Sequence, residues 1–152
     1  MALVGVVIGS KTDADMIQPA LDLLEKLGID YEVSVISAHR TPERAREYGL
    51  SARSRGLELI IAGAGGAAHL PGILASWTTL PIIGVPLPTS ELQGVDALLS
   101  IAQMPAGVPV ACVGIGTSGA KNAALLAAQI LGIKHKEVKE AYQRYRAELA
   151  EK

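Results

Sequence analysis

Apolar residues fall along this chain in short, nearly continuous runs, separated by longer stretches in which they recur at helical spacing. Five runs are bounded by glycine or proline: "ALVGVVIG" (2–9), "YEVSVIS" (31–37), "LELIIAG" (57–63), "LPIIGVP" (80–86) and "VPVACVGIG" (108–116). They are rich in Val and Ile, as parallel strands covered on both faces are. Between the first two, residues 13–27 carry Met16, Ile17, Ala20, Leu21, Leu24 and Leu27 at helical spacing, with Gly28 as the stop. Pro19 inside this segment predicts a kink or an irregular first half. A second helix has Thr41 at its N-cap, Pro42 at its first position and Gly56 at its stop. Shorter helices are predicted near 67–77 and 94–103, and a longer one over 119–131. The last segment, 134–152, aligns Val138, Tyr142, Tyr145 and Leu149 in one narrow apolar stripe. Such a stripe packs on the parent domain or on a neighbouring subunit. His135, which opens the segment, reads as a surface or capping residue.

Strands alternating with helices give a single α/β domain over 1–133, a doubly wound parallel sheet with right-handed crossovers, followed by the C-terminal helix 134–152. Ligands of such sheets bind outside the carboxyl ends of the strands, at a topological switch point. The loops at those ends are "GSKTD" (9–13), "SAHRTP" (37–42), "GAGGAAHLPG" (63–72), "PLPTSELQG" (86–94) and "GTSGAKN" (116–122). Two of the three histidines fall in them.

Composition narrows the classes. Charged residues make up 19% and hydrophobic ones 49%, which fits a globular protein with a full core and not a disordered chain. A net charge of -1 offers no basic surface to nucleic acid. The single cysteine, Cys112, excludes an internal disulfide and agrees with a reducing, cytoplasmic setting. Its place in mid-strand makes it core rather than nucleophile. The N-terminus "MALVGVVIGS" lacks a basic n-region and reads as a strand, not a signal peptide. No Asp, Glu, Lys or Arg occurs from Leu59 to Ser90, but glycines and prolines such as Gly63, Pro71, Pro81 and Pro86 interrupt the stretch, so no membrane span fits. A second uncharged stretch runs from Ala97 to Ala120. One small core seldom needs so much uncharged chain, which places part of it in a subunit interface.

The loops carry the candidate chemistry. "GSKTD" is either a capped strand-to-helix turn, with Ser10, Thr12 or Asp13 as N-cap, or an anion site at a helix N-terminus. It is neither the P-loop nor the dinucleotide pattern. "GAGGAAHLPG" is either tight helix–sheet packing or a loop almost without side chains, against which a planar ligand can lie on exposed backbone N–H groups. His69, in so apolar a stretch, needs a hydrogen-bond partner. "SAHRTP" is either a solvated loop or a site in which the Arg40 guanidinium holds an anion and His39 moves a proton near neutral pH. The sequence has no metal-ligand spacing and no G-x-S-x-G elbow.

Together and in this order, "IGSKTD", "SAHRTP", "AGAGGAAHLPG", "GVP", "SIAQMP" and "AKNAALLAAQIL" closely resemble the N5-carboxyaminoimidazole ribonucleotide mutases, bacterial-type enzymes of de novo purine synthesis. The resemblance covers residues from about 3 to about 135. It implies a flavodoxin-like three-layer sandwich and an isomerase that moves a carboxylate from the exocyclic nitrogen of the ribonucleotide to ring carbon 4. It implies no ATP, metal or organic cofactor, and a homo-octamer with sites at subunit junctions. By matching positions, Ser10, Asp13 and Arg40 would bind substrate, with Asp13 on the ribose hydroxyls and Arg40, Ser37 and Thr12 on the 5′-phosphate. His39 would be the acid–base group. Ala64, Gly65, Gly66, Ala67 and His69 would line the imidazole and carboxylate pocket. Thr12 stands where many members have serine and keeps the hydroxyl. Two rivals differ in class. A carboxylase of free carbon dioxide would show Lys in place of Arg40 and a different glycine-rich loop. A non-catalytic, receiver-like nucleotide-binding module would want a carboxylate where this chain has "AGAGG".

Overall fold

A computed structural model describes all 152 residues. Its five strands are β1 (Val4–Ile8), β2 (Tyr31–Val35), β3 (Leu59–Gly65), β4 (Ile82–Leu87) and β5 (Ala111–Cys112), joined in one sheet of order β2-β1-β3-β4-β5. Every pairing is parallel. Helices α1 (Ala14–Lys26), α2 (Pro42–Ala52), α3 (Leu70–Trp77), α4 (Val95–Ala102), α5 (Gly116–Leu131) and α6 (Lys136–Ala150) follow in chain order. The apolar runs are continuous because both faces of the sheet are covered. Along β3, Leu59 and Ile61 join a core with α1, α5 and Val138, while Ile60 and Ala62 join a second core with α2, α3 and α4. This is the doubly wound, flavodoxin-like sandwich.

The order reverses between β1 and β3, so the chain leaving β1 turns to one face and the chain leaving β3 to the other. A crevice opens between them at the carboxyl ends of the strands.

The local signals are met to different degrees. α1 ends in a Schellman motif: the Ile29 N–H bonds the Leu24 carbonyl (2.9 Å), the Gly28 N–H bonds that of Glu25 (3.0 Å), and Gly28 takes φ +70°. The kink or irregular first half expected from Pro19 does not occur: α1 is continuous from Ala14 through the proline, and the 3-10 turn Lys11–Asp13 lies ahead of it. α2 stops at Ala52, four residues before Gly56, which instead closes a separate turn at φ +95°. Thr41 holds the N-cap position of α2, but its hydroxyl donates to the Ser37 carbonyl (2.8 Å) instead of capping. β5 is far shorter than the apolar run 108–116. Pro109 has no N–H to give a ladder, and Gly114 (φ +131°) and Gly116 (φ +69°) leave the extended conformation.

α6 lies against α5 of its own chain through buried Val138 and half-buried Tyr142 and Tyr145. Lys26 reaches Glu148 (3.2 Å) and stands 5.3 Å above the Tyr145 ring. His135 is neither free nor a side-chain cap: its Nε2 lies 3.0 Å from Glu58 Oε2, and Lys134 Nζ lies 2.6 Å from Glu58 Oε1. Cys112 is half-buried against the second core, and burial pushes its thiol up, away from the thiolate. No helix is long and apolar enough to cross a membrane.

Candidate active site

Four loops at the carboxyl ends of β2, β1, β3 and β4 enclose a cleft of about 320 Å³. Each loop is held in a particular turn, and the turns decide which groups face inward.

After β1, Ser10 is extended, and its Oγ accepts the Thr12 N–H (3.3 Å) and lies 3.0 Å from Thr12 Oγ1. The Asp13 N–H returns to the Ser10 carbonyl (3.0 Å). This turn carries the Asp13 carboxyl into the cleft at 7% exposure, the one buried charged residue of the chain. Burial pushes its pKa up, partly offset by a hydrogen bond from the Ser10 backbone. No ion pair compensates it within the chain. A buried, cation-free carboxyl is costly unless something uses it.

After β2, the chain winds around Ser37. Its Oγ accepts the Arg40 N–H (3.2 Å), and its carbonyl accepts both the N–H and the hydroxyl of Thr41 (2.8 Å each). The tight turn puts His39 and Arg40 at the tip, both exposed. Arg40 has no carboxylate partner. Its fork is thus free for an anion.

After β3, Ala64 and Gly65 end the strand and Gly66 turns at φ +59°, with open space where a Cβ would stand. The Ala68 and His69 N–H groups fold back onto the Gly66 and Ala67 carbonyls (2.9 and 2.8 Å). His69 comes out at the N-cap of α3, pointing across to the β2 loop.

There it finds the partner its apolar setting calls for. His39 Nε2 and His69 Nδ1 are 2.7 Å apart, with ring centroids 4.8 Å apart and planes at 85°. At that distance one nitrogen carries the hydrogen and the other the lone pair. The contact therefore fixes one tautomer against the other and shares a single proton between two loops. The second nitrogen of each ring is left for other work.

Of the residues singled out by sequence, Ser10, Thr12, Asp13, Ser37, His39, Arg40, Ala64, Gly65, Ala67 and His69 all line this one cleft. Gly66 makes the turn behind it. Gly9, Ala38, Leu70 and Thr89 line it too and were not singled out. Thr89 had a legible signal, since it lies in the loop that follows β4 at the ligand-binding edge. A larger cleft of about 850 Å³ opens at the other end of the sheet, around Leu50, Arg53, Trp77, Thr79 and Pro109. Its one charged group, Arg53, donates to Thr79 Oγ1 (2.9 Å), and a guanidinium that stays protonated offers no acid–base chemistry. No three His, Cys, Asp or Glu side chains gather closely enough to hold a metal ion.

The arrangement combines an anion fork, a buried hydroxyl acceptor, a side-chain-poor floor and a proton-sharing pair. The family model described as AIR carboxylase matches residues 3–152. A Pseudomonas aeruginosa protein named N5-carboxyaminoimidazole ribonucleotide mutase is 59% identical over 150 residues, covering 99% of this chain and 92% of its own. Proteins of the same name from Pyrococcus horikoshii and Thermotoga maritima are 57% and 56% identical, covering 99% and 100% of this chain and 84% and 90% of theirs. Among solved structures, Treponema denticola PurE superposes with a TM-score of 0.88 at 29% identity, covering 99% of this chain and 93% of that one.

Proposed function

We propose that this chain, which belongs to the AIR carboxylase family, is an N5-carboxyaminoimidazole ribonucleotide mutase of purine biosynthesis. It converts that substrate to 4-carboxy-5-aminoimidazole ribonucleotide. The observation that carries the reading is the His39–His69 contact, a proton-sharing pair in the same cleft that Arg40, Asp13 and the glycine-rich loop line.

In this reading Arg40, with Ser37 and Thr12, holds the 5′-phosphate, and Ser10 and Asp13 take the ribose. The buried Asp13 carboxyl gains two hydroxyl donors when substrate arrives, which offsets the cost of its burial. The imidazole then lies against Ala64, Gly65, Gly66 and Ala67, where no side chain intervenes. His39 gives a proton to the exocyclic nitrogen as its bond to the carboxylate breaks. Carbon dioxide stays over the ring, carbon 4 attacks it, and the proton on carbon 4 leaves toward the histidine pair. His69 keeps the His39 ring in place and in one tautomer while the proton goes out and returns. Confinement of the two fragments accounts for the largest share of the rate, on the order of 7 kcal/mol or more in favourable geometry. Proton transfer adds about 10²–10⁴-fold.

The test is interconversion of the two carboxylated ribonucleotides by purified protein without ATP. Tight binding with no interconversion would leave a nucleotide-binding module instead. The description of the family model favours a second reading, carboxylation of aminoimidazole ribonucleotide by free carbon dioxide. Rapid incorporation of labelled bicarbonate, with aminoimidazole ribonucleotide as the efficient substrate, would establish it.

The protein further acts as a cytoplasmic homo-oligomer, an octamer by resemblance. Supporting this, Leu92, Val95 and Leu99 form an exposed apolar stripe within the otherwise charge-poor 80–120 region, at 63%, 51% and 54% exposure. Sedimentation of the purified chain checks the assembly.

A further inference from the structure

We infer that Thr89 is a substrate-contacting residue whose hydroxyl binds the migrating carboxylate at the β4 end of the cleft. The inference rests on the mutase reading and concerns the half of the site that the phosphate and ribose groups leave undescribed.

The strand order sets the frame. Running β2, β1, β3, β4, the carboxyl ends present Arg40 first, then Ser10 and Asp13, then the glycine-rich floor, and Thr89 last. Three strand steps separate the first from the last, roughly 14 Å. With phosphate at the Arg40 end and ribose at Asp13, the ring and its carboxylate extend toward Thr89.

Three features fix the hydroxyl there. The Thr89 N–H turns back to the Leu87 carbonyl (2.9 Å), and Leu87 is the register partner of Gly65. Pro88 lies beside Gly94 and Gly116, two glycines whose positive φ (+92° and +69°) shapes the turns that back onto it. Ser90 Oγ donates to Asp96 Oδ2 (2.6 Å) and accepts the Leu92 N–H (3.3 Å), which ties down the chain beyond. Ser90 is thereby used up, whereas Thr89 Oγ1 has no hydrogen-bond partner in the chain and faces the cleft. A Cβ at Gly65 would collide with Thr89 Oγ1. The glycine therefore leaves a space that the hydroxyl enters, directly over the floor on which the ring is to lie. A hydroxyl so placed can donate to a carboxylate on either the nitrogen or carbon 4, and to an oxygen of carbon dioxide between them.

The experiment compares wild type, Thr89→Val and Thr89→Ser for interconversion, and for release of aminoimidazole ribonucleotide with carbon dioxide from the N-carboxylated substrate. The valine variant should keep its fold, because Thr89 is exposed; thermal unfolding checks this. The expected result is a loss of kcat of about ten- to a hundredfold in Thr89→Val, the scale of a hydrogen bond to a charged group. More substrate should leak as aminoimidazole ribonucleotide, and Thr89→Ser should stay close to wild type. An active wild type with an unchanged Thr89→Val would overturn the inference, and so would a serine variant as impaired as the valine one. An inactive wild type would instead reject the mutase reading itself, and this inference with it.

Discussion

At the scale of single residues, the proposed reading separates groups that bind from the pair that moves a proton. His39→Asn keeps an amide able to bond His69 but removes the exchangeable ring proton. It should leave substrate affinity near wild type and lower turnover by about 10²–10⁴-fold, measured by equilibrium binding beside steady-state kinetics. Arg40→Ala should do the reverse, weakening binding by about ten- to a hundredfold through loss of a charged hydrogen bond. Asp13 makes a third case, in which function and stability pull apart. Its folded pKa is raised above the ordinary 3.8 by burial. Its contribution to stability is therefore full below that value and lost as pH rises through the folded pKa. Asp13→Asn should remove this loss, raising stability at neutral pH by about 1 kcal/mol, while substrate affinity falls. Thermal unfolding between pH 4 and 7 and a binding titration measure the two effects. The sequence made His39, Arg40 and Asp13 visible as chemistry at strand ends. It did not show that His39 and His69 touch, because residues 30 apart meet only once β2, β1 and β3 lie side by side. Thr89 was visible only as a member of the loop after β4; its close approach to Gly65 across the strand pair was not.

At the scale of elements, stops and starts were legible where one residue decides them and not where tertiary contacts do. Gly28 ends α1 as its position suggested, whereas α2 ends before Gly56 because a whole turn, Arg53–Gly56, intervenes. The run 108–116 is apolar enough for a long strand, yet Pro109 and two glycines at positive φ reduce it to a two-residue edge. Val138, Tyr142 and Tyr145 of the α6 stripe pack into the core beside α5 while Leu149 stays exposed, and a further anchor of that helix lies outside the stripe. Glu58, just before β3, takes Lys134 and His135 together, and these partners hold its carboxyl below the usual range, with the Lys134 hydrogen bond the largest cause. A lowered carboxylate pKa gives stability that is present above about 4.5 and lost as pH falls through the folded value. Lys134 is largely exposed, so the effect is small. Glu58→Gln should lower stability at pH 7 by about 0.5–1 kcal/mol. It should also flatten the acid limb of the pH–stability curve and speed amide exchange at the start of α6.

At the scale of the whole molecule, the alternation of buried runs and amphipathic helices was sufficient for a doubly wound sheet, because both layers of helices leave their mark on the strands. The strand order was not legible, since any right-handed parallel arrangement buries the same residues. That order matters for the proposed function: it places the switch point between β1 and β3, and so puts Arg40, Asp13, the bare floor and the Thr89 hydroxyl in a row. In the proposed reaction one carboxylate crosses from nitrogen to carbon inside this row without escaping. The most direct measurement uses N5-carboxyaminoimidazole ribonucleotide labelled with ¹³C in its carboxylate, with excess unlabelled bicarbonate, no ATP, and product read by mass at early turnover. The expected result is product that keeps the label, formed by wild type and not by His39→Asn. Product carrying unlabelled carbon from the bulk would contradict the claim.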